Sequence, residues 1–441
     1  MYSRRSFIRV GCASVGTLAL RPFGLITAMA GTAAPPTDYK ALVCVFLFGG
    51  NDGNNVIVPL SGNDYDNYAS VRKQIAIPSA SLLPVNTGSS VYGLHPSLVE
   101  VQSLYAGGQL AFAVNVGNLV QPLTRAQYTA GSAPVPSNLF SHSDQQMEWQ
   151  TSLPAENGAT GWGGRLADVV SPWNAPATFP AFVSLAGNTI QGAGAQTRAA
   201  AVTPGAPLGL ASGNPALDAA LEQVFTFDSG VSLVQAAAGT LANGESDATT
   251  LSKAMTGLKP LQTQFPKTTL GAQLQQAAAI IGVRSQLAMK RQIFFCSLGG
   301  FDTHGGQLDT QGPLLVQLSQ ALNAFYQATQ EMGVASQVTT FTESDFGRTF
   351  SPTSNNGSDH AWGNHHILMG GSVHGGQLYG TFPELALGGP QDTDTRGRWI
   401  PGNSVDQYGA TLASWFGVSQ HDLATVFPNL ANFSSQNLGF V

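Results

Sequence analysis

The stretch Ala41-Leu-Val-Cys-Val-Phe-Leu-Phe48, closed by Gly49-Gly50, decides how this sequence folds. Eight apolar residues without polar alternation, bounded by glycines, describe a strand buried on both faces, as in a parallel sheet. Four further runs read the same way, at residues 110–116, 181–185, 292–297 and 337–341. Helical patterns lie between them, at 95–104, 270–289 and 314–332. Strand and helix in alternation predict an α/β fold with a doubly wound, mainly parallel sheet and helices on both faces. Residues 186–215 are rich in Gly, Ala and Gln, and 216–268 is helical in pattern. The segment 186–268 therefore reads as a helical, Gly-rich insertion or cap on a single domain spanning 31–441. Residues 370–405, dense in Gly and Pro, read as hairpins or loops.

Composition narrows the function. The chain has 441 residues, 43% of them hydrophobic and only 10% charged, well below the roughly 25% of an average soluble domain. Lys plus Arg number 19 against 25 acids, which argues against nucleic acid as a partner. No stretch reaches 18 uninterrupted apolar residues, so no stable transmembrane anchor is expected. Ser3-Arg4-Arg5-Ser6-Phe7-Ile8-Arg9, a short apolar run and Ala28-Met29-Ala30 match a twin-arginine (Tat) signal peptide over residues 1–30. That address predicts passage through the Tat translocase to a periplasmic or secreted location. Cys44 and Cys296 lie in strand-like runs and read as small core residues rather than a disulfide.

Ligands of open α/β sheets bind beyond the carboxyl ends of the strands. Three of the predicted strands run into polar residues there. The first leads to Asn51-Asp52-Gly53-Asn54, the fourth to Phe301-Asp302-Thr303-His304, the fifth to Glu343-Ser344-Asp345-Phe346-Gly347-Arg348. A further cluster follows at Asp359-His360 and Asn364-His365-His366, with His374 after it. Carboxylates mixed with imidazoles suit zinc, manganese or iron better than calcium. One or two divalent ions there, zinc or manganese first, would polarise an ester and activate a nucleophile. Asp52, Asp302, His304, Asp345, Asp359, His360, His365 and His366 are the candidate ligands. Asp52 also fits a simple Asx turn, and Asp345 a helix cap paired with Arg348. Ser141, in Phe140-Ser-His-Ser-Asp-Gln145, sits where a helix N-terminus favours an anion, and is equally a nucleophile or an N-cap. His95 and His421 read as structural.

Together these motifs resemble a family of exported bacterial proteins, domain-of-unknown-function family 1501. The leader, Phe46-Leu-Phe-Gly-Gly-Asn-Asp-Gly-Asn-Asn55, Phe140–Gln145, Gly161-Trp-Gly-Gly-Arg165 and Gly300-Phe-Asp-Thr-His-Gly305 carry the likeness. So do Thr342-Glu-Ser-Asp-Phe-Gly-Arg-Thr349 and the 359–366 cluster. The family resembles the alkaline phosphatase and sulfatase superfamily. That resemblance implies a metal site at the strand carboxyl ends, with Asp52 on one ion and Asp302 with His304 on another. It points to Ser141 as nucleophile, with His142, Asn54 and Arg348 orienting the anion. The sequence departs from the superfamily at Asp345-Phe346, where an Asp-His pair is expected, and His360, His365 or His366 is left to replace the imidazole. No Cys-x-Pro-x-Arg pattern occurs, which removes the formylglycine route. The leading expectation is an exported metal-dependent hydrolase of phosphate- or sulfate-type esters, acting on a small-molecule or glycan substrate. The rival is a catalytically degraded member serving as a structural or binding protein of the envelope. A metal-free serine hydrolase is weaker, since no Gly-x-Ser-x-Gly lies in a nucleophile-elbow context.

Overall fold

A computed structural model describes residues 36–88, 90–155, 158–209, 214–227 and 230–441. The signal peptide expected over 1–30 lies outside the described residues. Residues Asp38–Val441 form one compact unit.

The run quoted above is strand β1, Lys40–Leu47, and its residues from Ala41 onward are buried. Successive strand side chains face opposite ways, so burial of both sets means that both faces of the sheet are covered. Around β1 lies a sheet of nine described strands. The small strands β2 (Ile57–Pro59), β3 (Leu83–Thr87) and β4 (Ser90–Leu94) form a separate antiparallel sheet. The large sheet adds β5 (Leu110–Gly117), β6 (Phe182–Ser184), β7 (Ala200–Ala201), β8 (Arg291–Leu298), β9 (Val338–Ser344), β10 (Asn364–Gly370), β11 (Leu378–Tyr379) and β12 (Asn403–Ser404). Its order is β11-β5-β10-β9-β1-β8-β6-β7, with β12 also on β5.

Every described pairing in this sheet is parallel except those of β10, which runs against β5 and β9. The expected mainly parallel α/β sheet is therefore present, and all five predicted strands occur within it. Of the four strands of this sheet that sequence reading missed, β7, β11 and β12 have two residues each, and β10 is the one of full length. Asn364-His-His-Ile-Leu-Met-Gly370 opens on three polar residues and was taken with the histidine cluster of a loop, yet all seven are buried.

Two groups of helices flank the sheet. One group comprises α3 (Val99–Ala106), α8 (Thr269–Gly282) and α9 (Gln307–Glu331), which pack in series. The other holds α4 (His142–Thr151), α5 (Trp162–Val170) and α10 (Val405–Phe416). In the second group Trp162 and Tyr408 pack on Phe341 of β9. Two short helices, α1 (Gly53–Val56) and α2 (Asp64–Arg72), follow β1. Within 186–268, β7 extends the sheet edge, and α6 (Pro215–Thr226) packs on α7 (Ser232–Met255), which reaches β7.

Register positions the site. Leu47 of β1 pairs with Leu298 of β8 on one side and Ser344 of β9 on the other, so three neighbouring strands end level. Gly49 holds the join between two of their turns. Its φ is +109°, and a Cβ there would fall 2.4 Å from the Asp302 amide nitrogen. Glycine alone allows both that backbone conformation and that approach.

Candidate metal centre

Past the level ends of β8, β1 and β9, four side chains converge. Asp302 follows β8, and its Oδ1 lies 3.2 Å from His304 Nε2, 3.3 Å from His142 Nε2 and 3.5 Å from His360 Nε2. His142 is the first residue of α4, and His360 sits on the loop between β9 and β10. The His304 and His360 Nε2 atoms are 2.8 Å apart, so at least one of the two is unprotonated.

Each imidazole is held through its other nitrogen. His142 Nδ1 lies 2.7 Å from Asp345 Oδ2, His304 Nδ1 2.9 Å from Asp359 Oδ1, and His360 Nδ1 2.7 Å from the Phe140 carbonyl. All three partners are acceptors, so each Nδ1 donates. A neutral imidazole that donates from Nδ1 carries its lone pair on Nε2. Three Nε2 atoms thus face one carboxylate. His142 Nε2 is buried without a hydrogen-bond partner among the described residues. Imidazole backed by a carboxylate or carbonyl is the usual arrangement of a metal-bound histidine, and three nitrogens plus one oxygen suit a tetrahedral zinc site. His142, His360 and Asp302 each bring one ligand-type atom within 4.8 Å of the others, a donor set that fits a divalent ion, with His304 Nε2 2.8 Å from that of His360.

Asp345 and Asp359 stand behind the imidazoles instead of beside Asp302. Buried Asp345 accepts from the Gly49 amide at 3.0 Å and from Gln146 Nε2 at 2.7 Å, besides His142. Asp359 is paired with Arg396. Hydrogen bonding to Asp345 holds the His142 imidazole above its ordinary value, and burial lowers that of His360. Burial pushes the Asp302 carboxyl up, but Arg348 and the imidazoles outweigh it and leave it below the usual carboxylate range. The Phe346 ring lies 4.8 Å from that of His142 and 4.7 Å from that of His360. A phenyl thus stands where an imidazole was expected, and it packs under two imidazoles supplied from elsewhere in the chain.

The remaining candidates lie apart from this cluster. Asp52 is buried against Arg72, accepts from Gln307 and from Asn54, and caps α1. Asn54 spends its amide on Asp52 and on the Arg348 carbonyl, while its oxygen accepts from Trp399. Buried Arg348 donates to the carbonyls of Gly49, Gly50 and Ser358 and pairs with Asp302. The donors of Asn54 and Arg348 are thus engaged inside the protein. His365 and His366 are core residues of β10. His365 Nδ1 accepts the Asn115 amide at 3.0 Å and its ring stacks on Phe382; His366 lies between Trp149 and Tyr408. Burial lowers both to about 3. Ser141 precedes α4, and its hydroxyl lies 2.5 Å from Asp144 Oδ2.

Sequence reading placed His142 beside the nucleophile, whereas the fold puts it among the ligand-type nitrogens. It passed over Gln146, Arg396 and Arg398 altogether. Arg398 donates to the His360 carbonyl at 2.9 Å. Asp392-Thr-Asp-Thr-Arg-Gly-Arg398 holds four charges in seven residues of a chain that is 10% charged, and that density was the available signal.

The sequence model of one family, described as a protein of unknown function (DUF1501), matches residues 39–393. No curated protein matches by sequence. Among solved structures, the lipoteichoic acid synthase LtaP from Listeria monocytogenes is similar at 7% identity and a TM-score of 0.36, over 88% of this chain and 74% of that one. Ps i-CgsB in complex with k-i-k-neocarrahexaose is similar at 10% identity and a TM-score of 0.35, over 90% and 77%. No helix among the described residues is long and apolar enough to cross a membrane.

Proposed function

The chain belongs to the DUF1501 family, and on that premise we propose that it is an exported, metal-dependent hydrolase of phosphate- or sulfate-type esters. One observation carries the reading: three Nε2 atoms face Asp302 Oδ1 while all three Nδ1 atoms are committed to acceptors. His142, His304, His360 and Asp302 would hold one ion, zinc before manganese given the nitrogen-rich set. Such an ion supplies Lewis acidity toward an ester oxygen and a low-pKa water. The protein's own part is to fix three tautomers, to keep Asp302 ionised beside Arg348, and to place the Ser141 hydroxyl one residue from His142. Asp144 accepts from Ser141 and so orients that hydroxyl. The leader motif supports export through the Tat translocase, and the substrate would be a small-molecule or glycan ester.

Metal analysis of the purified chain tests the first half, with one tightly held ion per chain as the expected result. Ester hydrolysis by Ser141→Ala tests the second. A fall of about a hundredfold or more is expected of a lost nucleophile, and an unchanged rate removes Ser141 and leaves water as the attacking group.

A second reading has an observation of its own. The Arg348 guanidinium already rests on Asp302, as Arg72 does on Asp52, so both carboxylates have a protein cation. On this reading the chain is a degraded member acting as an envelope structural or binding protein. A chain that takes up no zinc or manganese in titration favours it over the hydrolase.

A further inference from the structure

His360 is gripped at two points by a pair of residues far apart in sequence. The Phe140 carbonyl takes its Nδ1 at 2.7 Å, and Arg398 Nε donates to its backbone carbonyl at 2.9 Å. These two residues also hold each other, because the Arg398 guanidinium lies over the Phe140 ring at 4.5 Å from its centroid. Arg398 is itself fixed. Asp392 Oδ1 accepts its amide at 3.0 Å, while the other Asp392 oxygen accepts the amides of Gly388 and Gly397, each at 2.9 Å. Asp394 Oδ2 lies 3.1 Å from Arg398 Nη1.

Phe140 has a φ of +73°, in the left-handed region that a bulky side chain rarely adopts. That conformation persists only where the surroundings impose it. The stacked guanidinium is one such constraint, since a cation over an aromatic face is attracted by the ring quadrupole. Two residues later the chain delivers His142. One strained turn therefore sets the tautomer of one imidazole and launches another, and it joins the loop after β9 to the start of α4.

We propose that Phe140 and Arg398 are positioning residues that clamp His360, and that the left-handed backbone at Phe140 is what the clamp maintains. The proposal rests on the metal-centre reading above. The turn has to present a carbonyl, and the ring is the handle by which Arg398 keeps it there. Alanine at position 140 loses the handle and keeps the penalty of a positive φ. Glycine loses the handle but adopts that φ without penalty.

The test is zinc affinity of the full purified chain, read by competition with a chelator, beside the thermal midpoint of each metal-free variant. Phe140→Ala and Arg398→Met are expected to bind zinc about 10–100-fold more weakly, the range for lost second-layer partners of a metal-bound histidine. Phe140→Gly is expected to lie within a few-fold of the wild type. A role in packing alone predicts the reverse order, with glycine no better than alanine, and that order overturns the proposal. Wild-type zinc binding with Phe140→Ala and Arg398→Met both within twofold overturns it too, while leaving the metal centre standing. A wild type that binds no zinc overturns the metal centre and the clamp together. Should Phe140→Ala fail to fold, Arg398→Met decides the matter, because it leaves the residue at 140 unchanged.

Discussion

Asp52 and Asp302 stand at the same level of neighbouring parallel strands, each a few residues past the carboxyl end, and they end in opposite states. Asp52 is 1% exposed, and Arg72, Gln307 and Asn54 satisfy it. The Asp302 side chain is 49% exposed, pairs with Arg348 and is faced by three imidazole nitrogens. Position on the fold alone therefore does not fix the partners of a carboxylate. What distinguishes the two is whether protein donors have already saturated the carboxylate. A buried carboxylate must be paired, and Arg72 does this for Asp52. Asp302 is paired with Arg348 as well, but it stays open to water and to the three imidazole nitrogens.

The sharpest way to break the comparison is to remove each carboxylate in turn. Asp302→Ala should abolish stoichiometric zinc uptake, measured by metal analysis after dialysis. Retention of the ion in that variant would place the site elsewhere. Asp52→Ala should do the converse and leave zinc uptake intact. It strands the Arg72 guanidinium in the interior, and breaking a buried pair costs about 3–5 kcal/mol. Urea unfolding reads that loss, and an Asp52→Ala chain of wild-type stability would mean that the pair is not sustained in solution.

The histidines allow a smaller version of the same contrast. His366 is buried with neither ring nitrogen hydrogen-bonded among the described residues. His366→Leu should retain zinc and lie within about 1 kcal/mol of wild type near pH 7, or above it, since it removes a polar group that lacks a partner. The variant should also change the acid response. Burial lowers His365 and His366 to about 3, so between roughly pH 6.5 and 3 the unfolded chain binds protons that the folded chain refuses. Stability then falls as pH drops through that window, by up to about 1.4 kcal/mol per pH unit for each ring. Thermal melts of the metal-free protein at pH 7, 5.5 and 4.5 should show a shallower fall for His366→Leu. Parallel curves would mean that the His366 ring takes up its proton in the fold.

Much of the sheet was legible beforehand because a strand buried on both faces leaves an unmistakable run of apolar residues, as at 41–48 and 292–297. β10 escaped for the same physical reason. Asn364, His365 and His366 look hydrophilic in a string of letters, and only the partners that surround them inside the sheet make them core residues. Of the site, Asp302, His304 and His360 were visible as polar residues beside glycines past strand ends. His142 was visible too, but as a neighbour of Ser141. Nothing local says that α4 begins where β8 ends. Arg396 and Arg398 were hidden in a segment read only for its Gly and Pro content, although their charge stood out against so uncharged a chain.

By itself, then, the sequence determined the α/β class, the mainly parallel sheet and the end of it where polar chemistry would gather. Those properties depend on hydrophobic period and on the residues adjoining each strand, which are local facts. The tertiary structure alone decided which carboxylate is saturated and which is open, which histidines are core and which face Asp302, and that a strained carbonyl at Phe140 holds His360. Those outcomes depend on donors and acceptors far apart in the chain, as His142 and Asp345 are by 203 residues, and hydrogen bonding is settled by distance and direction in space, where sequence order has no say.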